Sequence, residues 1–76
     1  MNEETLVRIA NIILTFWLEH DHWTKTEFEE LENKVTELSE FDDIEVEDVQ
    51  LELANQCLDR GVEYTEQLQA FVNKLL

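Results

Sequence analysis

Proline is absent from this chain, and glycine, cysteine and serine each occur once in 76 residues. Each scarcity removes a class of protein. One cysteine cannot build a disulfide framework or a thiolate zinc site. One glycine cannot build a glycine-rich phosphate loop. No proline and a single glycine argue against a meander of short strands joined by tight turns. Positive charge is the other scarcity: 5 Lys and Arg stand against 19 Asp and Glu, a formal net charge of −14. A chain of that sign is repelled by DNA, RNA and anionic lipid, so neither nucleic acid nor a membrane surface is expected as a direct partner. Its natural complement is a basic protein, and electrostatic steering speeds that encounter.

The longest apolar stretch, Leu6 to Leu18, contains Arg8, Asn11 and Thr15 and falls short of the about 20 residues that span a bilayer. No basic segment followed by an apolar run and a small-residue cleavage site opens the chain, so a cytoplasmic location is expected. Hydrophobic residues nevertheless make up 43% of the chain, with four Phe, two Trp and one Tyr, which is too much apolar surface for a disordered acidic tail. The expectation is one acidic helical domain over residues 1–76. A domain this small hides only about 60% of its unfolded surface, so its core is thin and a partner or a second copy adds useful burial.

The apolar pattern predicts an all-α fold, a small four-helix bundle. Helix 1 is expected after an Asn2 cap, with Glu3 and Glu4 in the first turn, where the helix dipole favours acids. It is apolar nearly all round; Arg8, Asn11 and Thr15 form a single polar stripe. Thr24-Lys25-Thr26-Glu27 reads as a capping box for helix 2, with Trp23 and Phe28 as the flanking hydrophobic staple. Phe28, Leu31, Val35 and Leu38 then follow helical spacing. Helix 3 shows the same pattern, with Asp42 as cap, Glu45 as reciprocal acid, and Phe41 and Val46 as staple. Its inner face is expected to be Val46, Val49, Leu53 and Cys57, widened by Ala54 and Leu58, and Gly61 fits the left-handed stop with Val62 packing back near Cys57. Alternation through Ile44, Val46, Val49, Leu51 and Leu53 allows a strand, but its phase slips at Asp48. Helix 4 carries Tyr64, Leu68, Phe71, Val72 and Leu75 on one face. Short connections make neighbouring helices antiparallel.

The candidates for chemistry each have a simpler structural reading. His20 and His22 bracket Asp21, but residues two apart do not share a helix face, so a polar turn is expected rather than a metal site. Cys57 lies on an apolar face with no histidine near in sequence, which suits a small buried hydrophobe better than a nucleophile. The acids around Asp42 lack the glycine of a calcium loop. Length, acidity and the four-helix pattern are similar to acyl carrier proteins, which attach phosphopantetheine to the serine of an Asp-Ser-Leu motif at a helix start. Ser39 stands instead in Leu38-Ser39-Glu40 near the end of helix 2, so that motif is absent. No cofactor, no metal and no enzymatic activity are expected: a thin core has little room for a pocket that perturbs carboxylate pKa values.

What remains is the distribution of acids. From Val35 to Asp59 there is no basic residue, yet Glu37, Glu40, Asp42, Asp43, Glu45, Glu47, Asp48, Glu52 and Asp59 all fall there. Glu45, Asp48, Glu52 and Asp59 keep helical spacing along one side, with neighbours roughly 5–6 Å apart. Ordinary solvated faces mix signs and build ion pairs. A regular unpaired row imitates a phosphate backbone. These nine acids are therefore the expected partner-binding residues of a small inhibitor that occupies the basic nucleic-acid-binding surface of a target protein, as phage anti-restriction and anti-CRISPR proteins and nuclease immunity proteins do in general terms. The alternative expectation is a structural or adaptor subunit that associates through helix 1, in a homodimer or a larger complex, with the acids serving solubility.

Overall fold

The computed structural model describes residues 3–76, without the side chains of Phe41 and Asp42. Four helices follow one another: α1 Glu3–Glu19, α2 Lys25–Asp42, α3 Val46–Arg60 and α4 Glu66–Leu75, with no strand among the described residues. The architecture is the expected small all-α four-helix bundle, flattened to 31 × 29 × 17 Å. No described helix is long and apolar enough to cross a membrane.

α1 is the central element. Leu6, Ile9, Ala10, Ile13 and Leu14 are buried, the last four completely. Burying an Ile or Leu side chain contributes about 1.5–3 kcal/mol, so this helix supplies much of the driving force. It packs against α2 on one side and α3 on the other, and α4 closes the ring against α2 and α3. Ile12, Phe16 and Trp17 are half-buried, which leaves Val7 and Leu18 as its exposed large apolar residues. The polar stripe lies where its spacing puts it, with Arg8 and Asn11 exposed and Thr15 half-buried. The Asn2 cap lies outside the described residues.

One end of the bundle is closed by aromatic rings. Phe71 of α4 is 4% exposed, and its ring centroid lies 5.0 Å from those of Trp17 and Trp23, 5.8 Å from Phe28 and 6.0 Å from Phe16. Trp17 and Trp23 thus belong to the packing of α1 and the α1–α2 connection onto α4. Offset and tilted pairs of this kind add about 0.5–1.5 kcal/mol each beyond area burial.

The caps show how the ends are set. At α2 the predicted box is complete: Glu27 N–H donates to Thr24 Oγ1 at 3.2 Å, and Thr24 N–H donates to Glu27 Oε1 at 3.1 Å. The bonds to the Thr24 backbone, then to its hydroxyl, hold the Glu27 carboxyl below its ordinary pKa of 4.5. His20 joins the same corner. Its Nδ1 lies 2.9 Å from the Phe16 carbonyl, its Nε2 lies 3.2 Å from Glu27 Oε2, and its ring stacks on Phe16 at 4.1 Å. At α4, Thr65 caps by accepting from Leu68 N–H at 3.2 Å. Gly61 ends α3 with φ 68°, and Val62 N–H donates to the Cys57 carbonyl at 2.8 Å, as the sequence predicts.

The predicted start of helix 3 is corrected. α2 runs through Asp42, so Asp42 ends one helix instead of capping the next, and Glu45 is the cap, not a reciprocal acid. Glu45 is extended, at φ −96° and ψ 158°, with no side-chain cap bond. The cause is Asp43. It adopts the left-handed conformation (φ 53°, ψ 49°) and donates its N–H to the Ser39 carbonyl, while Ile44 N–H reaches the same carbonyl at 3.0 Å. Asp is one of the few residues other than glycine that tolerates this conformation. The stop turns the chain so that Ile44 is buried. Ile44 precedes the cap and Val49 is the fourth residue of α3; both are buried, so they occupy the staple positions that the sequence reading gave to Phe41 and Val46. Val46 is half-buried against the core. The Phe41 side chain lies outside the described residues.

Phe71→Ala is expected to cost about 3–5 kcal/mol, enough to unfold a domain this small at 37 °C, measured by thermal melting with near-ultraviolet circular dichroism of the tryptophans. Asp43→Gly is expected to raise stability by up to about 1 kcal/mol by relieving the left-handed strain, whereas Gly61→Ala lowers it by a similar amount in the same melts. Because the folded state favours ionised Glu27, its contribution is present above the ordinary carboxylate pKa and is lost as pH falls through the lowered folded value. Glu27→Gln should therefore flatten the acid limb of the stability curve below about pH 5 in urea titrations.

Candidate partner-binding surface

The chain places its acids by helix geometry, and it divides the nine candidates. α2 and α3 each pack against α1 and α4, and the candidates fall in three groups along them. Glu37 and Glu40 are exposed on α2. Asp43, Glu45 and Glu47 are exposed around the α2–α3 connection and the first turn of α3. The Asp42 side chain lies outside the described residues. Asp48, Glu52 and Asp59 form the third group, with Asp48 and Glu52 half-buried and Asp59 exposed.

That third group is the most ordered. Asp48, Glu52, Gln56 and Asp59 succeed one another at steps of four, four and three, which is one flank of a helix. The flank faces the N-terminal half of α1 across a shallow furrow. Glu3, Leu6 and Val7 line it from α1, with Asp48, Leu51 and Glu52 from α3. The furrow continues past Asn11, Gln56 and Asp59 to Arg60. Gln56 fixes its register: its Nε2 donates to the Val7 carbonyl at 3.1 Å and to Glu52 Oε1 at 3.3 Å. The amide thereby joins α3 to α1 and orients one carboxylate of the row. Gln56 was not singled out in the sequence, because nothing in its spacing reveals a bond to a carbonyl 49 positions away.

None of the three carboxylates of this flank forms an ion pair with a described residue. Among the described residues, ion pairs form elsewhere, between Lys25 and Glu29 at 4.0 Å and between His20 and Glu27 at 3.2 Å. Asp48 and Glu52 are an i, i+4 like-charge pair, an arrangement that destabilises by about 0.2–0.5 kcal/mol. Asp59 adds a negative charge near the C-terminus of α3, where the helix dipole already disfavours one.

The other chemical candidates have structural places. Cys57 is buried, and burial pushes its thiol pKa up, with Arg60 opposing weakly. Burial also raises the pKa of the Tyr64 hydroxyl, which has no hydrogen-bond partner among the described residues. His22 and Asp21 are exposed, while His20 turns inward to Phe16 and Glu27.

One expectation about α3 is reversed. Leu58 does not widen the inner face: it is 80% exposed, and Leu51 is 69% exposed. With Val49, Leu53 and Cys57 filling the space toward α1 and α4, the opposite side of α3 has no helix to cover it.

Comparison with known protein families, with characterised proteins and with solved structures finds no match to this chain.

The unpaired row has a measurable consequence. Glu52→Gln with Asp59→Asn is expected to stabilise the fold at low salt by several tenths of a kcal/mol, with the gain shrinking as salt screens the wild-type repulsion. Thermal melts at low and at high ionic strength read this directly.

Proposed function

We propose that this chain is a non-enzymatic binding protein, a small acidic inhibitor that occupies the basic nucleic-acid-binding surface of a target protein and blocks it by competition. The observation that carries this reading is the flank of Asp48, Glu52 and Asp59. It presents charge at helical pitch, with Glu52 oriented by Gln56, and none of its three carboxylates forms an ion pair with a described residue, Arg60 standing at the end of the same furrow. A surface kept in self-repulsion is stabilised when a basic partner arrives, and the partner gains the contacts it otherwise makes with phosphates. Glu45, Glu47 and Asp43 extend the negative field around the start of α3.

The alternative, an adaptor acting through helix 1, drew on that helix being apolar nearly all round. Ile9, Ile13 and Leu14 are covered within a single chain, so little of that surface is left for a second copy. Nothing else favours it.

The test is an affinity pull-down from lysate at low and high salt, with Asp48→Lys, Glu52→Lys and Asp59→Lys combined as the comparison. Capture of a nucleic-acid-binding protein that is released by salt or by added DNA or RNA, and is lost with the triple reversal, is the expected outcome. Capture of this chain alone, or of a neutral partner that survives high salt, overturns it.

A further inference from the structure

The outward side of α3 carries a second helix-packing stripe. Leu51, Ala54, Asn55 and Leu58 fall at i, i+3, i+4 and i+7, the spacing by which one helix meets another. Leu51 and Leu58 are 69% and 80% exposed, and across the furrow Val7 is 46% exposed. Two leucines two turns apart, about 10 Å along the axis, are anchors for apolar side chains repeating at the same interval. A surface that only imitates phosphates has no use for them.

Charge decides what covers the stripe. Asp48, Glu52 and Asp59 border it on the side of α1, and Glu47 stands one turn before Leu51. These are the flanking positions that set partner choice when helices pair. A second copy brings the same carboxylates against them, at a net charge of −14 on each chain. A helix with Lys or Arg beside its apolar residues meets each carboxylate with a cation. Resting on the reading of this face as a partner-binding surface, we propose that α3 docks a basic amphipathic helix of its target, with Leu51 and Leu58 as apolar anchors and the α3 carboxylates as the rim that selects positive charge.

The test uses two peptides of about 18 residues, both held helical and with the same number of lysines. One carries leucines at i, i+3 and i+7; the other carries glutamines there. Binding to the full chain is measured by fluorescence anisotropy at about 0.15 M salt. The amphipathic peptide is expected to bind at least about tenfold more tightly. Leu51→Gln with Leu58→Gln should erase that difference while leaving the melting temperature and the weaker binding of the polar peptide in place. Asp48→Lys with Glu52→Lys should weaken both peptides. Equal wild-type affinity for the two peptides overturns the helix-docking proposal but leaves the acidic-surface reading standing. Discrimination that survives the leucine substitutions overturns it too. A dimer in sedimentation that the leucine substitutions dissociate assigns the stripe to a second copy and overturns it. Binding of neither peptide, even at low salt, overturns both readings.

Discussion

Ile9, Ala10, Ile13 and Leu14 leave no surface to water, and the two most extensive helix contacts of the fold are those that cover their helix. A helix with this much apolar surface needs neighbours on more than one side. α2 and α3 flank it, and α4 bridges those two. The cost of ordering 76 residues is high, and burial of this one helix together with the aromatic end around Phe71 is what offsets it. The short connections follow from the same demand. The Asp43 stop places Ile44 in the core, and the Gly61 stop brings Val62 back over Cys57.

Covering α1 leaves α3 facing solvent on its far side. Its inner residues serve the core, and its flank carries carboxylates that form no ion pair with a described residue, with Arg60 at the end of the same furrow. Negative charge therefore has two roles in this molecule. In the Thr24–Glu27 box it is structural: a carboxylate held by a backbone N–H, with His20 attached. On α3 the carboxylates bring repulsion to the fold, partly ordered by one glutamine amide. The contrast between a satisfied acid and an unsatisfied row is what gives the proposed partner surface its place. The exposure of Leu51 and Leu58 beside that row gives it a form that charge alone lacks.

Much of this was legible in the chain because it is local. A capping box lies within four residues, and Thr24 and Glu27 announce it. The Gly61 stop, the polar stripe of α1 and the inner face of α4 rest on helical spacing. The start of α3 misled because Asp42 and Glu45 have cap spacing, while the actual stop depends on Asp43 in the left-handed region, a conformation that Asp tolerates but rarely adopts. Leu58 misled for a different reason: periodicity shows that a residue is apolar at a helical position, but not whether a helix stands opposite.

The sequence by itself determined the class of the molecule: four helices, their caps at Thr24 and Gly61, an apolar first helix, and a strongly negative surface with no means of building a disulfide framework, a phosphate loop or a thiolate zinc site. Only the tertiary structure decided which acids stand together, that Gln56 ties α3 to the Val7 carbonyl, and that Leu51 and Leu58 face outward. The first set depends on backbone geometry within a few residues and on composition. The second depends on which helices become neighbours, and that is settled by the packing of the whole chain around α1.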